Sequence, residues 1–169
     1  RAEQCRVTVQ GNRTGLTTAC VPYGGHVLSL TRMCRANGMR IGADGTVYLR
    51  VQPGMALVEL NQMIASKQFN TAGWDADSLA AYAAFQKLPR QYFTPDPTES
   101  SASIGGMVSC NASGAKTYHY GPTRNSVSAL RLVLADGDVL ALPRKADGRC
   151  AEGREYVRSI EAPQAQRRE

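Results

Sequence analysis

The stretch PDPTESSASIGGMVSCNASG, Pro95–Gly114, is the one on which the reading of the fold turns. It follows neither the two-residue period of a strand nor the 3.6-residue period of a helix. It is long, rich in small residues, and belongs to the kind of segment that is either functional or disordered. Pro95 and Pro97 fix φ and stiffen its entry. Gly105 and Gly106, lacking side chains, leave room for a flat ring or a diphosphate against the main chain. Ser103, Asn111 and the backbone amides around them can hydrogen-bond such a group.

A second glycine-bearing segment stands far upstream, in VTVQGNRTGLT, Val7–Thr17. An alternating apolar run stops at Gly11, and Gly15 follows. A loop of Gly, Asn and Thr can turn its backbone N–H groups toward one point and make a small anion-binding concavity. Thr14 and Thr17 add hydroxyls and Arg13 adds charge, so a pyrophosphate is a natural occupant. No Gly-Lys-Ser/Thr closes the loop, which excludes a Walker motif, and glycines four apart do not make G-x-G-x-x-G. By spacing alone, a plain turn between strands is an equally good reading.

Around these segments the pattern is that of an α+β domain. Val7–Val9 and HVLSLTRM read as strands. MRIGADGTVYLRVQPG reads as two strands about the turn Asp44-Gly45, with Val47, Leu49 and Val51 on one face. Pro53-Gly54 ends the second. Leu57, Leu60 and Ile64 recur at helical spacing. WDADSLAAYAAFQKLP reads as a further helix with Asp75 or Asp77 as N-cap and Pro89 as stop. ALRLVLADGDVLAL is a hairpin with Leu130, Leu132 and Leu134 on one face and Asp136-Gly137 at its turn. Beyond Pro143 the apolar pattern decays, and residues 144–169 read as a basic, loosely held tail.

Composition narrows the classes. The chain has 169 residues, ordinary apolar content and no run of membrane-spanning length, so it can bury a core. It begins at Arg1, without an apolar leader, and reads as a piece of something larger. Five cysteines, with no C-x-x-C pair, argue for reduced thiols and against a zinc site or a disulfide framework. Two histidines exclude a His-rich metal site. The net charge of +6 is dispersed and carries no nucleic-acid-binding signature. His26 reads as a strand-start residue, His119 as a solvated loop residue, and Cys110 as a small buried thiol. Asp44 and Asp136 read as turn residues.

Taken in order, GNRTGLT, VPYGGHVLSL, VQPGMALVELN, PDPTESSASIGG, NASG and YGPTRNSV resemble the FAD-binding (PCMH-type) domain of the vanillyl-alcohol-oxidase flavoproteins. The likeness is greatest to the glycolate oxidase and D-lactate dehydrogenase branch of FAD-linked oxidases, and it runs from about Val7 to Leu142. It implies an α+β fold with a mixed sheet and flanking helices, and FAD as cofactor, with no metal. Gly11, Asn12, Arg13, Thr14, Gly15 and Leu16 would hold the pyrophosphate. Asp96, Pro97, Thr98, Ala102, Ser103, Ile104, Gly105 and Gly106 would line the cofactor, continued by Cys110, Asn111 and Gly114. The whole enzyme would oxidise a small 2-hydroxy acid such as D-lactate or glycolate by hydride transfer to flavin. It would pass electrons to an acceptor and bind no nucleic acid. A homo-oligomer is compatible with this, as is a cytoplasmic location, peripheral to the membrane or free of it.

The sequence departs from the family at named places. Asn12 and Arg13 replace middle glycines, and Thr17-Thr18 replaces a common Gly-Gly. The run from Phe69 to Phe93 is longer than the usual connection and reads as an inserted surface helix packed by Trp74. The family's opening strand-helix-strand portion, a later Gly-x-Glu-Gly-Thr-Leu-Gly segment and the substrate domain are not in this sequence. The expectation is a partial FAD-binding domain over residues 1–143, with the catalytic residues outside it. The alternative is a non-catalytic module of the same fold that does not retain flavin.

Overall fold

The computed structural model describes residues 5–143, which divide between Ser126 and Val127 into two compact units. The tail read at residues 144–169 lies outside the described residues.

In the first unit, β1 (Val7–Gln10) and β2 (His26–Ser29) pair in parallel, Val7 opposite His26. Parallel neighbours need a crossover of about a dozen residues or more. Residues 11–25 supply it, and the glycine loop is therefore part of the crossover. β3 (Ala36–Ile41) and β4 (Val47–Val51) form an antiparallel hairpin. Its turn is set by the Asp44 carboxylate, which accepts the Thr46 N–H at 3.0 Å and the Thr46 hydroxyl at 2.8 Å. Gly45 follows with φ +80°.

α1 (Leu57–Ser66) starts where Pro53-Gly54 ends the strand, and Leu57 and Leu60 are its buried stripe. Lys67 closes it in the left-handed region at φ 54°. α2 (Ala76–Lys87) is capped by Asp75, whose carboxylate accepts the Ser78 N–H at 2.7 Å, so Asp75 and not Asp77 is the N-cap. The Lys67 ammonium reaches the carbonyls of Gln86 (3.0 Å) and Leu88 at the end of α2, where a cation meets the negative end of the helix dipole.

α2 is no surface decoration. It lies on β3, and its Phe85 is only 1% exposed. Trp74 donates its indole N–H to the Ala36 carbonyl at 2.8 Å. Phe69 stands within 6.1 Å of Trp74, Tyr82 and Phe85, ring centre to ring centre. The even spread of alanines hides this face, because the helix's large apolar contribution comes from two rings, Tyr82 and Phe85, that meet Phe69. The same core holds Met39, Met55, Leu57, Leu60, Ile104 and Met107. Burial of each such side chain stabilises the unit by about 1.5–3 kcal/mol.

The small-residue region and the residues that follow it are less irregular than their composition suggests. α3 (Ile104–Ser109) lies within Pro95–Gly114, and α4 (Thr117–Tyr120) and a 3-10 turn at Thr123–Ser126 follow it. α3 is one and a half turns long, too short for a period to register. Its signals are an N-cap serine, Ser103, and the buried pair Ile104 and Met107.

In the second unit, β5 (Ala129–Val133) and β6 (Val139–Pro143) form the expected hairpin, Leu130 opposite Leu142. Asp136 accepts the Asp138 N–H at 2.9 Å at its turn.

The α+β class therefore holds. Instead of one mixed sheet, the described residues carry three two-stranded sheets, one parallel and two antiparallel. Between β2 and β3 the chain folds into a turn, with Met33 N–H on the Leu30 carbonyl. Gly54 N–H then takes the Met33 carbonyl, so local bonds replace strand-to-strand pairing there.

Candidate functional site

The site is assembled on a backbone seam. Pro53–Val58 runs against Ser100–Gly105, with Ala56 and Ser103 as an antiparallel bridge. Ile104 N–H donates to the Met55 carbonyl and Gly105 N–H to the Pro53 carbonyl, both at 2.8 Å. In return, Leu57 and Val58 donate to the carbonyls of Ala102 (2.9 Å) and Ser100 (3.0 Å). The first N–H groups of two helices, which have no partner inside their own helix, thus satisfy each other's flanking strands.

This geometry corrects one expectation. Gly105 and Gly106 were read as space for a ring or a diphosphate against the backbone. A Cβ on Gly105 would instead stand 2.6 Å from the Pro53 Cβ and 2.9 Å from its carbonyl oxygen. The glycine is there for backbone packing. Gly106 N–H is taken by the Ser103 hydroxyl at 3.3 Å. Ala102, Ser103 and Ile104 are buried and belong to the core. The amides of Ile104, Gly105 and Gly106 are therefore spent within the chain.

The upstream loop meets this seam. A Cβ on Gly11 would fall 2.1 Å from the Ser103 Oγ, and the Asn12 side-chain amide donates to the Ser101 carbonyl at 2.5 Å. Two segments about ninety positions apart in sequence are thus in contact, as a shared cofactor slot requires. At the loop's base the Gln10 side-chain amide donates to the Cys20 carbonyl at 2.7 Å. Arg13 and Thr18 hold left-handed backbone at φ 59° and 58°.

Among the described residues, no backbone N–H from Gly11 to Leu16 donates to a protein acceptor. Gly15 is singular. Every other glycine in the described residues has either a positive φ or a neighbour that a Cβ would crowd; Gly15 has neither. Nothing in the chain requires a glycine there.

The downstream residues play other parts. A Cβ on Gly114 would lie 1.7 Å from the Asp96 carbonyl, so this glycine too permits close backbone approach. Asp96 also meets Lys116 at 3.5 Å, a surface pair that contributes little. Asn111, at φ 47°, accepts the Arg124 N–H at 3.1 Å with its side-chain carbonyl. Thr123, 1% exposed, donates both its N–H (3.0 Å) and its hydroxyl (2.7 Å) to the Ala112 carbonyl. Asn111 is thereby tied to the YGPTR segment. Pro97 is half-buried and Thr98 exposed. Cys110, the C-cap residue just past α3, is exposed, not buried as expected.

Sequence reasoning missed Glu99. Its carboxylate accepts the Ser101 N–H at 2.9 Å and the Ser101 hydroxyl at 2.7 Å. These bonds, the hydroxyl's first, hold Glu99 below the usual glutamate range. The spacing Glu-x-Ser was the available signal. His26 is exposed at the start of β2, as expected; His119 is exposed as expected but lies in α4 and not in a loop, its ring edge-on to Tyr120 at 4.5 Å. Among the described residues no group of side chains could hold a metal ion, and no helix is long and apolar enough to cross a membrane.

Residues 72–142 match the FAD binding domain family. A D-lactate dehydrogenase of Anaerostipes hadrus is 33% identical over 138 residues, 80% of this chain and 24% of that protein. A D-lactate dehydrogenase of Archaeoglobus fulgidus is 31% identical over 135 residues, 79% of this chain and 25% of its own length. A D-2-hydroxyglutarate dehydrogenase of Stutzerimonas stutzeri is 28% identical over 146 residues, 83% of this chain and 25% of that protein. The chain spans about a quarter of the length of these relatives.

Proposed function

We propose that the loop Gly11–Leu16 holds the diphosphate of FAD through its backbone N–H groups, in a chain whose residues 72–142 match the FAD binding domain family and which is similar to D-lactate dehydrogenases. We propose further that the enzyme of which it is part oxidises a D-2-hydroxy acid of the lactate or hydroxyglutarate kind. The observation that carries this reading is the row of unengaged N–H donors from Gly11 to Leu16, with Arg13 among them. Such donors attract an anion that the protein itself does not supply. Gly15, with open space where a side chain would stand, fits close approach by a ligand.

The remaining residues then have distinct tasks. Ser101–Ser103 backs the loop through Asn12 and Gly11. Ile104–Gly106 forms a wall and not a donor set, because its amides are already bonded. Asp96–Thr98 and Cys110–Gly114, joined where Gly114 meets Asp96, line the cofactor further along. Bound FAD supplies the two-electron acceptor chemistry. This chain's part is to bind and orient it, and the group that takes the substrate's hydroxyl proton belongs to another part of the enzyme, as does delivery to an electron acceptor. The cysteine set, odd in number and without close pairs, supports a reducing, cytoplasmic setting.

The test is a titration of the purified chain with FAD, followed by calorimetry, beside the full-length enzyme given D-lactate or D-2-hydroxyglutarate without oxygen. Saturable uptake at one FAD per chain and bleaching of the full enzyme's flavin absorption are expected. If neither protein takes up FAD, the reading fails. Uptake by the longer chain alone makes this portion a module that needs its neighbours to retain flavin.

A further inference from the structure

We propose that Gln10 and Asn12 are positioning residues whose side-chain amides hold the loop Gly11–Leu16 open before any anion arrives. This rests on the loop's being the diphosphate site. The loop has little of its own to keep it in shape. Its N–H groups from Gly11 to Leu16 make no bond within the described chain. Arg13 within it, at φ 59°, and the β-branched Thr18 just beyond it, at φ 58°, occupy left-handed backbone, a conformation that non-glycine residues adopt only when their surroundings enforce it. A loop so placed would relax by turning its N–H groups onto nearby carbonyls, which would close the anion site.

Two amides oppose that collapse. Gln10, just before the loop, ties the chain to a point four positions beyond it, donating to the Cys20 carbonyl at 2.7 Å. Asn12 ties the near limb to the Ser101 carbonyl at 2.5 Å. Ser101 is itself fixed by two bonds to Glu99, so the tie ends on a held partner. Beside it Gly11 is seated against the buried Ser103. An amide suits this position for a further reason: it donates to a carbonyl without placing a negative charge beside an anion. A site formed in advance binds more tightly because ordering is not charged against the ligand.

The test uses the chain with Asn12→Ala and Gln10→Ala, each titrated with FAD and with inorganic pyrophosphate, and each melted without ligand. We expect each variant to bind both ligands about five- to tenfold more weakly. The unliganded melting temperature should fall by no more than a few degrees, since each variant loses a single hydrogen bond of a side chain that is not fully buried. In the unliganded variants the amides of Asn12–Leu16 should become more mobile, their 15N order parameters falling from about 0.85 toward 0.6. Undiminished affinity in the variants, or loop amides as ordered as in the parent, overturns the proposal while leaving the diphosphate reading intact. So does a melting temperature that falls in step with affinity, which is the mark of a merely structural role. Should neither the parent chain nor the full-length enzyme bind FAD or pyrophosphate, the underlying reading falls and this proposal with it.

Discussion

The loop Gly11–Leu16 and the turn Ala102–Gly106 look alike in sequence: both are rich in glycine and small polar residues. They differ in where their backbone donors go. In the loop the N–H groups are unengaged and Gly15 faces open space. In the turn the N–H groups are bonded to Pro53, Met55 and Ser103, and Gly105 is pressed on Pro53. Glycine in the second case allows two backbones to touch. In the first it leaves a place for something that is not part of the chain. A glycine-rich segment therefore announces close approach, and only the hydrogen-bond account tells whether the approaching partner is protein or ligand.

Substitution separates the two cases. Gly105→Ala drives a Cβ into Pro53 and should destabilise the fold by about 3 kcal/mol, read as a lowered urea midpoint. Equal midpoints for the variant and the parent would break the contrast. Gly15→Ala should leave the urea midpoint unchanged and weaken FAD binding about tenfold, roughly 1.4 kcal/mol, by titration. If stability falls and affinity holds, the loop is an ordinary turn. Ser103→Ala removes the cap on Gly106 N–H and should cost about 1 kcal/mol of stability, with FAD affinity nearly unchanged.

The smallest effect concerns pH. Glu99 is held below the usual glutamate range by Ser101, so its stabilising contribution is complete above the unfolded value of about 4.3 and is lost as pH falls through the folded value. Glu99→Gln should flatten that part of the acid limb and leave stability at pH 7 only slightly lower, measured by thermal melts between pH 7 and pH 3. An unchanged acid limb would show that the Ser101 turn does not depend on the carboxylate.

Much of the fold was legible because it obeys local rules. Asp44-Gly45 and Asp136-Gly137 mark their hairpin turns, Leu57 and Leu60 mark one helix face, and Asp75 caps the next. Ordered motifs shared with a flavoprotein family carried the cofactor assignment. What stayed hidden depends on distant partners. That α2 is core follows from Phe69, Trp74 and Phe85 meeting in space, which no helical period encodes. That the Gly105 amide is spent follows from Pro53, about fifty positions earlier. Cys110 stands exposed just past a helix too short to read.

Trp74 is the chain's single tryptophan, and its indole is fixed by the bond to Ala36. Excitation of this protein in the near ultraviolet therefore lights one lamp at one known place. Indole emission overlaps flavin absorption, so any isoalloxazine brought close would dim that lamp by resonance transfer. The chain carries its own optical ruler, with no label to attach.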